Sequence, residues 1–211
     1  MDFLKMLFDF VMHIDKHLLE YSVQYGQWLY GILFFIIFAE TGFVVTPFLP
    51  GDSLLFAAGA LCPIGALNVW VLICLLIAAA IIGNTINFFI GKKLGPAFLE
   101  KEKIPFIKKE YILKAQEFYA KHGTKALVIS RFIPIVRTFV PFIAGIAKMD
   151  TAKFILWTAL SAIIWVVPIT FAGYFFGNIP IVKNNFSIVV LGIIFVSILP
   201  GIIAVVKGKM N

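Results

Sequence analysis

Charged residues are scarce in this sequence: they make up 14% of its 211 residues, whereas 61% are hydrophobic. A soluble domain of ordinary composition is about 25% charged and about 45–50% apolar. The composition therefore predicts an integral membrane protein. At about 20 apolar residues for each span, the length allows a handful of spans and leaves no room for a soluble domain of useful size.

Cysteine and histidine are nearly absent as well. Cys62 and Cys74 lie in apolar surroundings and cannot form a disulfide framework, so buried thiols are the simplest interpretation. His13 and His17 have a spacing that can bind zinc, but no third ligand is evident and a polar helix face explains both. We predict no metal and no other cofactor. An enzyme such as an intramembrane lipid phosphatase is not predicted either, because the apolar regions lack the histidine or metal set that it needs.

Positive charge is concentrated in one segment of the chain. The net charge is +7, and residues 92–125 hold nine lysines against four glutamates. Basic clusters beside membrane spans are biased towards the cytoplasm. We predict a basic cytoplasmic linker and amphipathic helix at about 92–125, with a charged loop at 92–103 and the helix at 107–122. Because the cluster flanks spans and lacks a recognisable binding module, no nucleic-acid partner is predicted.

Three apolar runs without charged residues predict membrane-spanning helices. These runs lie at 69–91, 154–177 and 186–206. In the first run, Asn84 and Asn87 share one helix face, so we expect both side chains to point inward as secondary polar residues of a site. An amphipathic helix that lies in the membrane interface is predicted at 1–25.

Two other apolar runs, at 27–63 and 126–147, contain residues that break helices. A straight helix through them would lose backbone hydrogen bonds and clash at proline, and the freed backbone groups cannot face lipid. We therefore predict a re-entrant hairpin in each run, with Pro50 and Gly51 near the tip of the first. The residues expected to shape the hairpins are Pro47, Pro50, Gly51, Pro134, Pro141 and Gly145.

The order of segments repeats along the chain. An amphipathic helix, a broken run and a span occur at about 1–91 and again at about 107–177. If each hairpin returns to its own side of the membrane, successive units are inverted. The predicted fold is one all-α polytopic membrane domain over 1–211, with inverted repeats, two facing re-entrant helical hairpins, amphipathic interface helices and about three or four full spans. The side on which the first helix lies and the oligomeric state stay open.

The apolar regions after residue 25 contain four ionised groups: Glu40, Asp52, Arg131 and Arg137. Each costs about 2.5–3.5 kcal/mol at the centre of a membrane helix, so we expect the four to meet or to line one wet cavity. Arginine offers planar donors that suit phosphate or carboxylate, and buried carboxylates can take up protons near physiological pH. The set indicates an anion-binding pair and a proton-responsive pair. The alternative is structural ion pairing that pins the hairpins together.

These residues belong to motifs that follow one another over roughly residues 25–180. The motifs are Glu40-Thr41-Gly42, PFLPGD at 47–52, Gly83-Asn84, RFIP at 131–134, Arg137-Thr138 and Ala144-Gly145. Together they resemble the DedA family, also called the SNARE-associated or VTT-domain family. The resemblance implies a multi-pass protein of the bacterial inner membrane with two facing re-entrant hairpins. It also implies that Glu40 and Asp52 are functional acids and that Arg131 and Arg137 are functional arginines.

Members of that family are implicated in flipping the carrier lipid undecaprenyl phosphate, in envelope homeostasis and in proton-dependent drug or alkali tolerance. We therefore predict a flippase for undecaprenyl phosphate or a related lipid phosphate, with protons as a second partner. Arg131 and Arg137 would bind the headgroup, and Glu40 and Asp52 would couple or gate its movement. The alternatives are a proton-coupled exporter of cationic drugs or ions and a non-transporting membrane-organising or assembly factor.

Overall fold

The computed structural model describes residues 27–42, 51–63, 65–100, 109–185, 188–189 and 192–193. Every regular element in this part of the chain is helical, as the sequence predicts. The amphipathic helix predicted at 1–25, the prolines Pro47 and Pro50, and most of the span predicted at 186–206 lie outside the described residues.

The described helices have the following order. They are α1 (Trp28–Gly42), α2 (Gly51–Ala60), α3 (Val69–Glu100), α4 (Lys109–His122), α5 (Ala126–Ile129), α6 (Pro134–Ile146), α7 (Thr151–Phe176) and α8 (Pro180–Asn184). Short 3₁₀ helices, Gly123–Lys125 and Ser130–Phe132, lie on either side of α5.

Two of the described helices, α3 and α7, are long and apolar enough to cross a membrane. They coincide with two of the predicted spans. Trp70 near the start of α3 contacts Phe171 near the end of α7, with ring centroids 5.8 Å apart. Phe88, further along α3, stacks on Phe154 at the start of α7, with centroids 4.1 Å apart. The two helices therefore run in opposite directions.

Both long helices begin after a polar side chain that caps the first turn. Asn68 Oδ1 accepts hydrogen bonds from the amides of Trp70 and Val71. Asp150 Oδ1 accepts one from the amide of Lys153. Such caps satisfy amide groups that have no partner within the helix, and they fix where each long helix starts.

The charged loop predicted at 92–103 is wrong up to residue 100. The structure continues α3 through Gly95 and Pro96 to Glu100. Lys92 and Lys93 are exposed at this end of the helix, where their long side chains keep the ammonium groups in polar surroundings. Charge alone therefore does not end the helix.

The second broken run is interrupted immediately before Pro134. Ser130–Phe132 forms a 3₁₀ turn, Ile133 is extended with φ −122° and ψ 102°, and α6 starts at Pro134. Steric conflict with the following proline disfavours a helical Ile133, whereas proline costs no hydrogen bond at the first helical position. The first broken run is divided between α1, which ends at Gly42, and α2, which starts at Gly51.

Pro141 does not break the helix, contrary to the prediction. It lies inside α6, which continues to Ile146. Proline in a helix interior removes one backbone hydrogen bond. Its neighbours Val140 and Phe142 are almost completely buried, and the burial of this helix face offsets that cost.

α2 packs against α7 through backbone contact at glycine. A Cβ atom at Gly59 would collide with the carbonyl oxygen of Thr170, and one at Gly173 would collide with that of Phe56. Only glycine lets the two backbones approach this closely.

α6 makes the corresponding contact with α3. A Cβ atom at Gly145 would collide with the carbonyl oxygen of Phe88, and one at Gly91 would collide with that of Phe142. In both helix pairs the phenylalanine and glycine of the short helix are three residues apart, as are their partners on the long helix. Each short helix thus packs on the long helix of the other half of the chain.

Two clusters of buried apolar side chains surround these contacts. The first involves α1, α2, α3 and α7, and the second involves α3, α5, α6 and α7. Because α3 and α7 contribute to both clusters, they tie the two halves of the described structure together. This arrangement positions the charged residues of the short helices, Asp52 of α2 and Arg137 of α6.

Candidate functional site

Glu40 and Arg137 form a buried ion pair between α1 and α6. The Arg137 Nη2 group donates a hydrogen bond to Glu40 Oε1. Glu40 is 0% exposed and Arg137 is 8% exposed. A charge can remain in such an interior when it is paired and hydrogen-bonded. The ion pair therefore joins the last turn of α1 to the first turns of α6.

Asp52 brings α2 into the same cluster. It lies in the first turn of α2, where the positive end of the helix dipole stabilises a carboxylate. Its Oδ1 atom is 3.5 Å from Arg137 Nη1 and accepts a 2.6 Å hydrogen bond from the indole N–H of Trp165. The Asp52 side chain is 17% exposed, whereas that of Glu40 is fully buried. Asp52 is therefore the more accessible of the two carboxylates.

Arg131 has a different environment. It lies in the 3₁₀ turn before α6 and is 4% exposed. None of the ion pairs among the described residues includes it, and its Nε and Nη2 atoms have no hydrogen-bond partner there. Its guanidinium carbon lies 4.7 Å from the centre of the Trp165 ring. A buried donor without a partner is costly, so this edge of Arg131 is suited to an anionic ligand.

Trp165 is a member of the cluster that the sequence analysis did not identify. It lies in the interior of α7, is 2% exposed, and its ring faces both arginines. A signal is present in the sequence: Trp165 is well inside a predicted span, where a buried indole N–H needs an acceptor. The pattern alone did not indicate that this acceptor is Asp52.

Asn87 joins the two broken runs at their backbones. It is fully buried, and its Nδ2 group donates to the carbonyl of Thr138 at 2.7 Å and to that of Thr41 at 3.5 Å. These carbonyl groups lie next to Arg137 and Glu40 in the chain. Asn84 is also buried, at 4% exposure, and its Oδ1 atom has no partner among the described residues. Asn87 thus contributes a polar group beside the charged cluster, and Asn84 is a second buried polar residue of α3.

Glycine allows the helices of the cluster to approach one another. A Cβ atom at Gly51 would overlap the Glu40 carboxylate, and one at Gly83 would overlap the Thr41 hydroxyl. Glu40 consequently lies against the N-terminus of α2. Residue 51 must therefore be glycine because a side chain would not fit there, and not only because it lies at a predicted helix break.

The family model for the VTT domain matches residues 49–175, which is more than half of the chain. Protein DedA of Escherichia coli (strain K12) is 47% identical over 211 residues, covering 99% of this chain and 96% of that protein. The chain belongs to the DedA family. The resemblance inferred from the motifs is confirmed.

Other DedA relatives are named as membrane proteins. Inner membrane protein YqjA of Escherichia coli (strain K12) is 37% identical over 153 residues, covering 72% of this chain and 70% of YqjA. Uncharacterized membrane protein Rv0364 of Mycobacterium tuberculosis (strain ATCC 25618 / H37Rv) is 39% identical over 179 residues, covering 84% of this chain and 78% of Rv0364. No solved structure is significantly similar to the chain. The chain is thus a DedA family membrane protein, in agreement with its composition.

The VTT-domain match contains most of the cluster. Asp52, Arg131, Arg137 and Trp165 lie within residues 49–175, and Glu40 precedes them. In the described part of this DedA family protein, no three histidine, cysteine, aspartate or glutamate side chains are grouped as metal ligands. The chemistry available at the site is therefore that of two carboxylates, two guanidinium groups and one indole.

Proposed function

We propose that this DedA family protein is a flippase that moves undecaprenyl phosphate or a related lipid phosphate across the bacterial cytoplasmic membrane. The observation that carries the proposal is the buried edge of Arg131, with Nε and Nη2 lacking partners among the described residues. A guanidinium edge has two parallel N–H groups, which match two oxygens of a phosphate group.

The surroundings of the cluster favour an anion that is attached to a lipid. The outer faces of the long helices carry exposed apolar side chains such as Phe89 of α3 and Leu156 of α7. A prenyl tail can stay in the hydrocarbon beside such faces while the headgroup reaches the arginines. Glu40, Arg131 and Arg137 are buried among these helices, so a free inorganic anion would need a polar route that a lipid headgroup on a flexible tail does not.

The contacts of Arg137 support the proposed proton coupling. Both Glu40 and Asp52 contact it, so a phosphate group that binds Arg137 competes with two carboxylates. Protonation of a carboxylate removes its charge and weakens this competition. Headgroup binding and proton uptake therefore favour each other, and the headgroup binds more tightly at lower pH.

The crossed packing supports the two facing re-entrant hairpins and the inverted repeats of the proposed transporter. α2 and α6 carry the same phenylalanine–glycine contact, and each is placed on the opposite long helix. The chain breaks of both halves lead to the same charged cluster. Broken helices from two inverted repeats that meet at a shared site are a transporter architecture.

A vesicle assay tests the proposal. Purified protein is reconstituted in liposomes with fluorescently labelled undecaprenyl phosphate, and its crossing is followed with an impermeant quencher. Losing a hydrogen bond to a charged group costs about 1.5–3 kcal/mol, so we expect Arg131→Gln to slow crossing by at least about tenfold. Arg131→Lys retains the charge without the planar edge and should recover only part of the rate.

Lys153→Gln is the matched control, because it removes one positive charge from an exposed position in the first turn of α7. Unchanged crossing in a folded Arg131→Gln protein would refute the assignment of Arg131. Two further outcomes separate the other functions. If tetraphenylphosphonium occupies the site and lipid phosphate does not, the protein is a cation exporter. If undecaprenyl phosphate does not cross in vesicles that contain the wild-type protein, a membrane-organising factor is favoured.

A further inference from the structure

Trp165 contacts three charged side chains that come from three different elements. Its indole N–H donates to Asp52 Oδ1 of α2 at 2.6 Å. The guanidinium carbons of Arg131 and Arg137 lie 4.7 Å and 5.6 Å from the centre of its ring. One buried side chain of α7 thus holds an acid and both arginines.

The hydrogen bond to Asp52 fixes the carboxylate. Asp52 Oδ1 receives the indole N–H and lies 3.5 Å from Arg137 Nη1. An indole has one donor and no acceptor, so Trp165 stabilises the ionised carboxylate in this orientation. The same atom of Asp52 is therefore shared between Trp165 and Arg137.

The ring contact acts differently, because it uses the π face of the indole. A cation over an aromatic face is attracted without using its N–H donors. A carboxylate partner would occupy those donors and neutralise the charge. Trp165 can consequently hold Arg131 in place while Nε and Nη2 remain without partners in the described structure.

We propose that Trp165 is a positioning residue of the headgroup site. Its ring holds Arg131 so that the donor edge faces the ligand, and its contacts link the Asp52 carboxylate to both arginines. The identity of the ligand rests on the proposed function, whereas the coupling between Trp165 and its charged neighbours does not. The charged groups that face Asp52 are Arg137 of α6, Arg131 of the 3₁₀ turn and, through Arg137, Glu40 of α1.

A role in packing alone predicts different behaviour. Trp165 also belongs to the first apolar cluster, and truncation of a packing residue lowers stability in proportion to the volume removed. It does not alter the pH dependence of a nearby site. The pH profile of ligand binding therefore separates the two roles.

The first experiment measures binding of farnesyl phosphate to the purified protein in detergent between pH 5 and pH 8. Trp165→Phe retains a ring face and loses the N–H, so affinity at pH 5 should stay within about threefold of wild type while the pH midpoint moves upward. Trp165→Leu loses the ring as well, and affinity should fall by at least about tenfold at every pH. Trp157→Phe, elsewhere on α7, is the control. Equal affinities for the Phe and Leu variants, or an unchanged pH profile in both, would overturn the proposal.

The second experiment needs no lipid. Trp28, Trp70 and Trp157 are replaced by Phe, so that emission comes from Trp165 alone, and Asp52→Asn or Arg131→Gln is then added. We expect each addition to change the Trp165 emission. Identical emission spectra in the three proteins would overturn the proposal. Changed emission in a protein that does not bind farnesyl phosphate would count against the proposed function alone.

Discussion

The two arginines of the cluster differ in what holds them. Arg137 is shared by two carboxylates, whereas Arg131 rests on an aromatic face with donors that have no partner among the described residues. Arginine stays protonated in both places. The buried Glu40–Arg137 ion pair links α1 to α6, and under the proposed function it also competes with the headgroup for Arg137.

Glu40→Gln tests this competition. The amide keeps the size of the side chain and cannot take a negative charge, so we expect headgroup affinity at pH 8 to rise by about tenfold, towards that of wild type at pH 6. Because a phosphate monoester itself titrates near pH 6, a prenyl sulfate is measured beside the prenyl phosphate. Glu117→Gln, at an exposed position of α4, is the control. Retention of the wild-type pH dependence in the Glu40→Gln protein would refute competition through Glu40.

At the scale of helices, glycine contacts hold the cluster together. We expect Gly173→Ala to destabilise the protein by about 1–3 kcal/mol, because its Cβ meets backbone of α2 that cannot rotate away. A Cβ at Gly31 in α1 meets nothing within 4 Å, and alanine there should be neutral or stabilising by up to about 1 kcal/mol. Thermal unfolding in detergent, followed by circular dichroism, compares the two. Similar melting temperatures for both variants would mean that the α2–α7 contact is not as tight as described.

The sequence predicts some of these elements well and others poorly. Long apolar runs indicated α3 and α7, and Pro134 indicated the break before α6, because both effects are local. Pro141 and the Gly95–Pro96 pair lie inside helices, where packing or chain continuity outweighs local propensity. The four charges could be grouped by the cost of leaving them apart in an apolar interior. Trp165 could not, because the position of an indole ring depends on tertiary contacts.

At the scale of the whole molecule, the turns that precede the two long helices lie at opposite ends of the described structure. Gly145, after which the chain turns into α7, lies against the Lys92 end of α3. Gly177, at the other end of α7, lies against Ala60 of α2. The apolar part of α3 has 25 residues, or roughly 37 Å at 1.5 Å per residue, which exceeds a hydrocarbon core of about 30 Å. The turns that precede α3 and α7 are thus separated by about one membrane thickness.

This separation predicts that Pro63 and Lys148 face opposite sides of the membrane. In a background with both native cysteines replaced, Pro63→Cys and Lys148→Cys, at exposed turn positions, are labelled with an impermeant maleimide in spheroplasts and in inverted vesicles. Basic residues near spans favour the cytoplasm, so the residue 148 cysteine should react in inverted vesicles and the residue 63 cysteine in spheroplasts. Lys93→Cys, at the same end of α3 as Gly145, should label with residue 148. Labelling of residues 63 and 148 from one side would exclude the inverted arrangement, since α3 would then not cross the membrane between them.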